Sequence, residues 1–112
     1  MSTTDDGKKA EKLVSRELQK VGHRIVFMNW RTRWCEIDIV SKNKNCVYFT
    51  EVKYRGSDKW GGGFDYITPK KLKQMNFAAE LWLNENNWSK ECVLQVAEVN
   101  AANEVKVIEL TA

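Results

Sequence analysis

Asp38, Glu51 and Lys53 are the residues in this chain whose types and spacing could do chemistry. They fall in two short clusters, Glu36-Ile37-Asp38 and Glu51-Val52-Lys53, either side of the polar run Ser41-Lys42-Asn43-Lys44-Asn45. Hard carboxylate oxygens suit Mg²⁺ or Mn²⁺, cations that take oxygen ligands and keep several waters. A cation held there polarises a phosphate and acidifies the water it carries. An ammonium beside it stabilises negative charge as that charge develops. Two carboxylates and one lysine aimed at one spot are therefore what metal-assisted phosphodiester hydrolysis requires. The same charges also suit a solvent-exposed hairpin face that pairs its charges across strands. Spacing alone does not separate the two.

The elements that must position these groups are legible as patterns. Trp34 to Val40 and Cys46 to Tyr54 alternate like half-buried strands. A hairpin turning through Ser41–Asn45 sets Asp38 opposite Phe49, with Glu51 its diagonal neighbour on the same face at about 7–8 Å. Lys53 and Glu36 share that face, because strand side chains repeat with period 2. Upstream, residues 1–6 form a polar leader in which Thr4, Asp5 or Asp6 can cap a helix. Ala10, Leu13, Val14 and Leu18 recur at helical spacing from Lys8 to Lys20, and Gly22 ends the helix. Ile25 to Trp30 reads as a first strand. Arg55 to Phe64 is glycine-rich and reads as a mobile loop. Thr68-Pro69 opens a second helix with Leu72, Met75, Ala78, Ala79 and Leu83 on its apolar face, closing at Asn84 to Asn87. Cys92 to Val99 and Val105 to Leu110 are the last strands. The order α-β-β-β-α-β-β predicts one α/β domain over residues 1–112, a mixed sheet flanked by helices.

Bulk properties exclude several alternatives. With 112 residues, 43% hydrophobic and 29% charged, the chain is of ordinary globular composition, with no room for a separate recognition module. Its net charge of +3 is mildly basic. Arg24, Arg31 and Arg33 precede the second acidic cluster; Lys53, Arg55, Lys59, Lys70, Lys71 and Lys73 accompany or follow it. A cationic rim around an acidic centre suits a polyanion, and scattered solubilising charge fits the same counts. Cys35, Cys46 and Cys92 are odd in number and lack a CxxC, which argues against a disulfide framework or zinc site and for a reducing cytoplasm. His23 is the only histidine, so a histidine metal cluster and a Ser-His system are excluded; it reads as a helix-end or surface residue. Met1 to Lys9 is too polar for a signal peptide, and no apolar run reaches membrane-spanning length. Gly61-Gly62-Gly63 lacks the Lys-Ser/Thr of a phosphate loop. Trp82 lies on the helix stripe and belongs to the core. Trp60, in the glycine-rich loop, either stacks on an unpaired base or anchors the loop over the sheet.

Taken in order, Glu11, Glu36-Ile37-Asp38 and Glu51-Val52-Lys53 resemble the PD-(D/E)xK nuclease fold of restriction endonucleases and archaeal Holliday-junction resolvases. More closely, the chain is similar to the YraN-like family of uncharacterised bacterial proteins. The likeness runs from about Gly7 to Val99 and includes Asn29-Trp30-Arg31, Glu51-Val52-Lys53-Tyr54-Arg55, Trp60-Gly61 and Ile67-Thr68-Pro69-Lys70-Lys71. The resemblance implies that Asp38, Glu51 and the backbone carbonyl of Val52 bind the metal and that Lys53 is the catalytic lysine. Glu11 matches a helical glutamate that completes the acidic site; it also reads as a helix-N-terminal charge stabilised by the macrodipole. Glu36 either assists or pairs with an arginine. Arg55 and Lys71 are phosphate contacts or solvated charges.

Three positions depart from the family pattern. Cys35 stands where glycine is usual and narrows the approach to Asp38. Val93-Leu94-Gln95 replaces an Arg-Phe-Asp run, so that Gln95 either substitutes in the site or marks its weakening. Thr50 replaces an apolar residue. The implied activity is metal-dependent hydrolysis of DNA, with RNA not distinguished, on branched, nicked or single-stranded forms. Arg55 and Lys71 are the nucleic-acid contacts it offers, to which the distribution of basic residues adds Arg31, Arg33 and Lys70 and the glycine-rich loop adds Trp60; resolvase-like relatives also suggest a homodimer. The rivals are a binding module of the same fold with negligible turnover, and a protein-interaction subunit.

Overall fold

The structure is a computed structural model that describes residues 5–56 and 67–110. The stretch 57–66, which holds Trp60 and most of the expected loop, lies outside the described residues, as does the leader before residue 5.

The first helix, α1 (Asp5–Lys20), begins inside the expected leader, where Asp5 and Asp6 place negative charge on its first turn. It ends at Gly22, whose φ of 99° is open to glycine and strained for other residues. The His23 N–H returns to the Leu18 carbonyl at 3.0 Å, closing the helix in a Schellman-type turn. His23 is thereby a helix-end residue, and its Nδ1 lies 2.9 Å from the hydroxyl of buried Ser41.

Three antiparallel strands follow: β1 (Arg24–Arg31), β2 (Glu36–Asn43) and β3 (Cys46–Tyr54). Helix α2 (Pro69–Glu85) crosses to β4 (Glu91–Val99), which pairs parallel to β3, and β5 (Val105–Leu110) closes the sheet antiparallel to β4. The sheet order is therefore β1-β2-β3-β4-β5. Thr68 caps α2 by accepting the Lys71 N–H at 3.1 Å, with Pro69 in the first turn, as the sequence anticipates.

The helices cover opposite faces. Ala10, Val14 and Leu18 of α1 pack on Ile39, Ala97 and Val99. Ala78, Ala79 and Trp82 of α2 pack on Val40, Val47 and Phe49, with Trp82 edge-on to Phe49 at 5.5 Å between ring centres.

The hairpin register departs from expectation. Asn43 pairs with Cys46, so the turn is only Lys44-Asn45, with Lys44 at a left-handed φ of 57°. Ser41 and Lys42 are strand residues despite their polarity, because Ser41 is buried and bonded to His23. Val40 therefore faces Phe49 and Ile39 faces Thr50. Numbered one step past the last pair, this register would match Asp38 with Glu51 and not with Phe49, a slip of two residues.

Arg55 takes a structural place. Its Nε donates to Glu98 Oε2 at 2.7 Å, and Glu98 is fully buried on β4. The Nε edge of the expected phosphate contact Arg55 thus serves a buried carboxylate. Removing one partner of such a pair leaves an uncompensated charge, whereas replacing both does not. Arg55→Ala is expected to cost about 3–5 kcal/mol of unfolding free energy, and the double change Arg55→Met with Glu98→Met much less. Urea denaturation of the three proteins checks it; a near-neutral Arg55→Ala would remove the pair from the fold's support.

Candidate metal centre

The β2–β3 ladder stops at Ile39↔Thr50, although both strands continue. Beyond that point β2 stays paired to β1 through Trp30↔Ile37 and Arg31↔Glu36, and β3 stays paired to β4 as far as Tyr54↔Val99. A fork thus opens between β2 and β3. The Val52 N–H, which a continued ladder would give to backbone, goes instead to Asp38 Oδ2 at 2.8 Å.

A cavity of about 240 Å³ occupies the fork, and Glu11, Glu36, Asp38, Glu51, Val52 and Lys71 line it. Because the sheet is split there, α1 on one face and α2 on the other both reach the same space.

Glu11 comes from α1 and is 6% exposed. Burial raises its pKa above the ordinary carboxylate value; the Asn29 amide, donating from Nδ2 at 3.2 Å, opposes that, while the Glu36 and Glu51 charges add to it. Asn29 sits in β1 at a left-handed φ of 56°, a conformation asparagine tolerates. Asp38 is pushed from 3.8 to about 7, first by burial and then by Glu51, with Glu11 and Glu36 adding and the Val52 N–H opposing. Glu51 is held by Lys71, Nζ to Oε2 at 2.9 Å. Glu36 meets Arg31 at 3.5 Å on the rim, the arginine partner the sequence offered it.

Each carboxylate thus has a protein partner of its own. Among the described residues, no three Asp, Glu, His or Cys side chains already form a cation cage. The donor set nevertheless fits a hard divalent cation. Four carboxylates share one cavity, and Asp38, through its burial first and the neighbouring Glu51 charge second, holds its proton toward neutral pH.

The expected residues divide in their placement. Glu11, Asp38, Glu51, Val52 and Lys71 come together at the cavity. Lys53 follows Glu51 on the same face of β3 but is not part of the cavity wall, and the lysine on Glu51 is Lys71. Gln95 is not among the residues of the cavity wall: it is 3% exposed, pairs in register with Thr50 and donates to the Thr50 hydroxyl at 2.9 Å. Thr50 points to the face opposite Glu51. Cys35 lines a neighbouring groove beside Trp34 and is absent from the wall around Asp38. Arg33, Lys70 and Lys73 are exposed. Asn29 was given no role in the sequence reading; its one signal there was its place in the Asn29-Trp30-Arg31 run.

Comparison with known proteins agrees with this architecture. The family model described as "Uncharacterised protein family UPF0102" matches residues 10–109. A UPF0102 protein of Pseudomonas fluorescens strain Pf-5 is 34% identical over 104 residues, covering 91% of this chain and 85% of its own length. Another, from Sulfurihydrogenibium sp., is 34% identical over 87 residues, covering 78% of this chain and 76% of itself. Among solved structures, Archaeoglobus fulgidus Hjc, a Holliday junction resolvase from an archaeal hyperthermophile, superposes with a TM-score of 0.58 at 20% identity, over 92% of this chain and 76% of that one. No helix among the described residues is long and apolar enough to cross a membrane. The chain belongs to the uncharacterised protein family UPF0102, the YraN-like family, and carries the nuclease fold of the Holliday junction resolvase.

Proposed function

We propose that this protein is a metal-dependent endonuclease acting on DNA of particular structure: branched, nicked or single-stranded. The carrying observation is the convergence of Glu11, Asp38, Glu51 and Lys71 from four different elements on one cavity at the β2–β3 fork. The resolvase-like fold supports it at the level of architecture.

Asp38, Glu51 and the Val52 carbonyl would hold Mg²⁺ or Mn²⁺, with Glu11 completing the acidic shell. The cation supplies charge neutralisation at the phosphate and lowers the pKa of water. The protein's own residues do the rest. Asn29 orients Glu11, the Val52 N–H orients Asp38, and Lys53 stabilises negative charge developing on the phosphate. Lys71 neutralises Glu51 while no cation is there; once displaced, it is placed to meet the phosphate. Arg33, Lys70 and Lys73 are exposed cations suited to backbone contacts. RNA remains open beside DNA as substrate. A homodimer would let two such sites straddle a symmetric junction, and light scattering that finds monomers at high concentration removes it.

One observation favours a second reading, a binding module with negligible turnover: Lys71 already occupies Glu51 as an internal counterion. Labelled linear, nicked, flapped, four-way and single-stranded DNA, incubated with Mg²⁺, Mn²⁺ or EDTA, separates the two. Cleavage is expected with either metal and not in EDTA, and Asp38→Asn and Lys53→Ala are each expected to lower it by at least about 100-fold. Salt-sensitive binding without cleavage selects the binding module.

Asp38 also gives a pH signature without substrate. Its folded-state pKa of about 7 lies above the ordinary 3.8, so the folded protein binds the proton more tightly than the unfolded chain. The proton's contribution is fully present below about pH 4 and is lost as pH rises through about 7. Asp38→Asn keeps an acceptor for the Val52 N–H and removes the charge. In EDTA it is expected to raise unfolding free energy by on the order of 2–4 kcal/mol near pH 8, and by little near pH 4. Adding Mg²⁺ near pH 8 is expected to stabilise the wild type, by about 2.7 kcal/mol at a hundredfold excess over Kd, and the variant much less. Equal Mg²⁺ responses would take Asp38 out of the metal shell.

A further inference from the structure

Beside the acidic cavity lies a larger groove of about 400 Å³ that shares Glu36, Glu51 and Lys71 with it. Two large aromatic side chains line this groove and stay in water: Trp34 is 68% exposed and Phe77 is 50% exposed. Lys73 lines it too, and the Arg33 guanidinium lies 5.4 Å from the centre of the Trp34 ring. Exposed apolar residues scattered singly need no explanation; two aromatic rings on one groove do. Neither is required by the core, which α2 closes with Ala78, Ala79 and Trp82.

The groove's chemistry names its ligand class. Ring faces flanked by cations suit a molecule with a flat π-face joined to negative charge, which is a nucleotide within a strand. We propose that this groove receives an unpaired nucleobase next to the phosphate addressed by the acidic cavity. The base stacks on Trp34, Phe77 bounds it from α2, and Arg33 and Lys73 meet the flanking phosphates. Base pairs inside a duplex have no free ring face to offer. The groove therefore selects flaps, gaps and branch points, and supplies a physical basis for structure selectivity. The placement next to a scissile phosphate rests on the nuclease reading; base capture itself does not.

The test uses a duplex with a single-stranded flap carrying 2-aminopurine at one position, and a blunt duplex of equal length, both in EDTA to stop turnover. Anisotropy gives affinity and 2-aminopurine fluorescence reports stacking. The wild type is expected to prefer the flap by about tenfold, with quenching on binding. Trp34→Ala and Phe77→Ala are each expected to cut that preference several-fold and weaken the quench, while Trp34→Phe retains both. Thermal melting matched to wild type confirms that these exposed positions leave the fold intact. No preference in the wild type, an unchanged preference in Trp34→Ala, or equal losses on flap and blunt DNA each overturn the proposal, as does the absence of any DNA binding. A quench without Mg²⁺-dependent cleavage of the flap by wild type leaves the groove standing and removes the nuclease.

Discussion

The site depends on one feature of the sheet, the parting of β2 and β3 beyond Ile39↔Thr50. A continuous ladder there would bury the strands' backbone in hydrogen bonds and leave side chains from α1 and α2 on opposite faces of an unbroken layer. The fork removes that barrier. Each strand is still held on its outer side, β2 by β1 and β3 by β4, so the gap is bounded by paired strands and not by loops. Asp38 then takes over part of the ladder's work by accepting the Val52 N–H. A residue on one prong is fixed by the backbone of the other, which sets the spacing of Asp38 and Glu51 more firmly than two rotamers would.

Gathering acidic groups in a half-buried fork costs free energy, and their partners show how unevenly that cost is met. Glu36 and Arg31 form an exposed pair at 3.5 Å, worth about 0–1 kcal/mol at most. Glu51 has a lysine at 2.9 Å, and Glu11 an amide. Asp38 has a neutral backbone donor, and burial together with the Glu51, Glu11 and Glu36 charges raises its pKa to about 7. Strain of this kind, a charge the fold concentrates without neutralising it from within, is what a cation from outside would relieve.

Much of this was legible in the chain because its signals are local. Element order followed from periodicity, and the start of α2 from Thr68-Pro69. Asp38, Glu51 and Glu11 could be singled out because their spacing and the family resemblance agree. What the sequence hid was pairing at a distance. The polar residues Ser41 and Lys42 read as turn, yet a contact from His23, eighteen positions before Ser41, keeps them in the strand and moves the register by two. Gln95 was a candidate because it stands in the run where the family resemblance puts a site residue; which β3 residue it lies beside, Thr50, depended on a parallel register that no local pattern encodes. Asn29 supports Glu11 through a left-handed strand residue, a geometry that polarity alone does not announce.

The same long-range pairing redistributes the positive charge. Composition suggested a broad cationic rim, but three of its members are engaged within the protein: Arg55 with buried Glu98, Lys71 with Glu51 and Arg31 with Glu36. The exposed basic residues near the groove are Arg33 and Lys73, and they stand beside aromatic rings, whereas Arg55 serves the interior. On the proposed nuclease reading, affinity drawn from phosphates scales with the number of cations left to meet them, so each one engaged internally lowers what charge alone can supply. An unpaired base would then add a stacking surface that undistorted DNA withholds. The acidic fork and the aromatic groove are joined through Glu36, Glu51 and Lys71, so that under the proposed reading one would address the phosphate while the other tests whether the base next to it is unpaired.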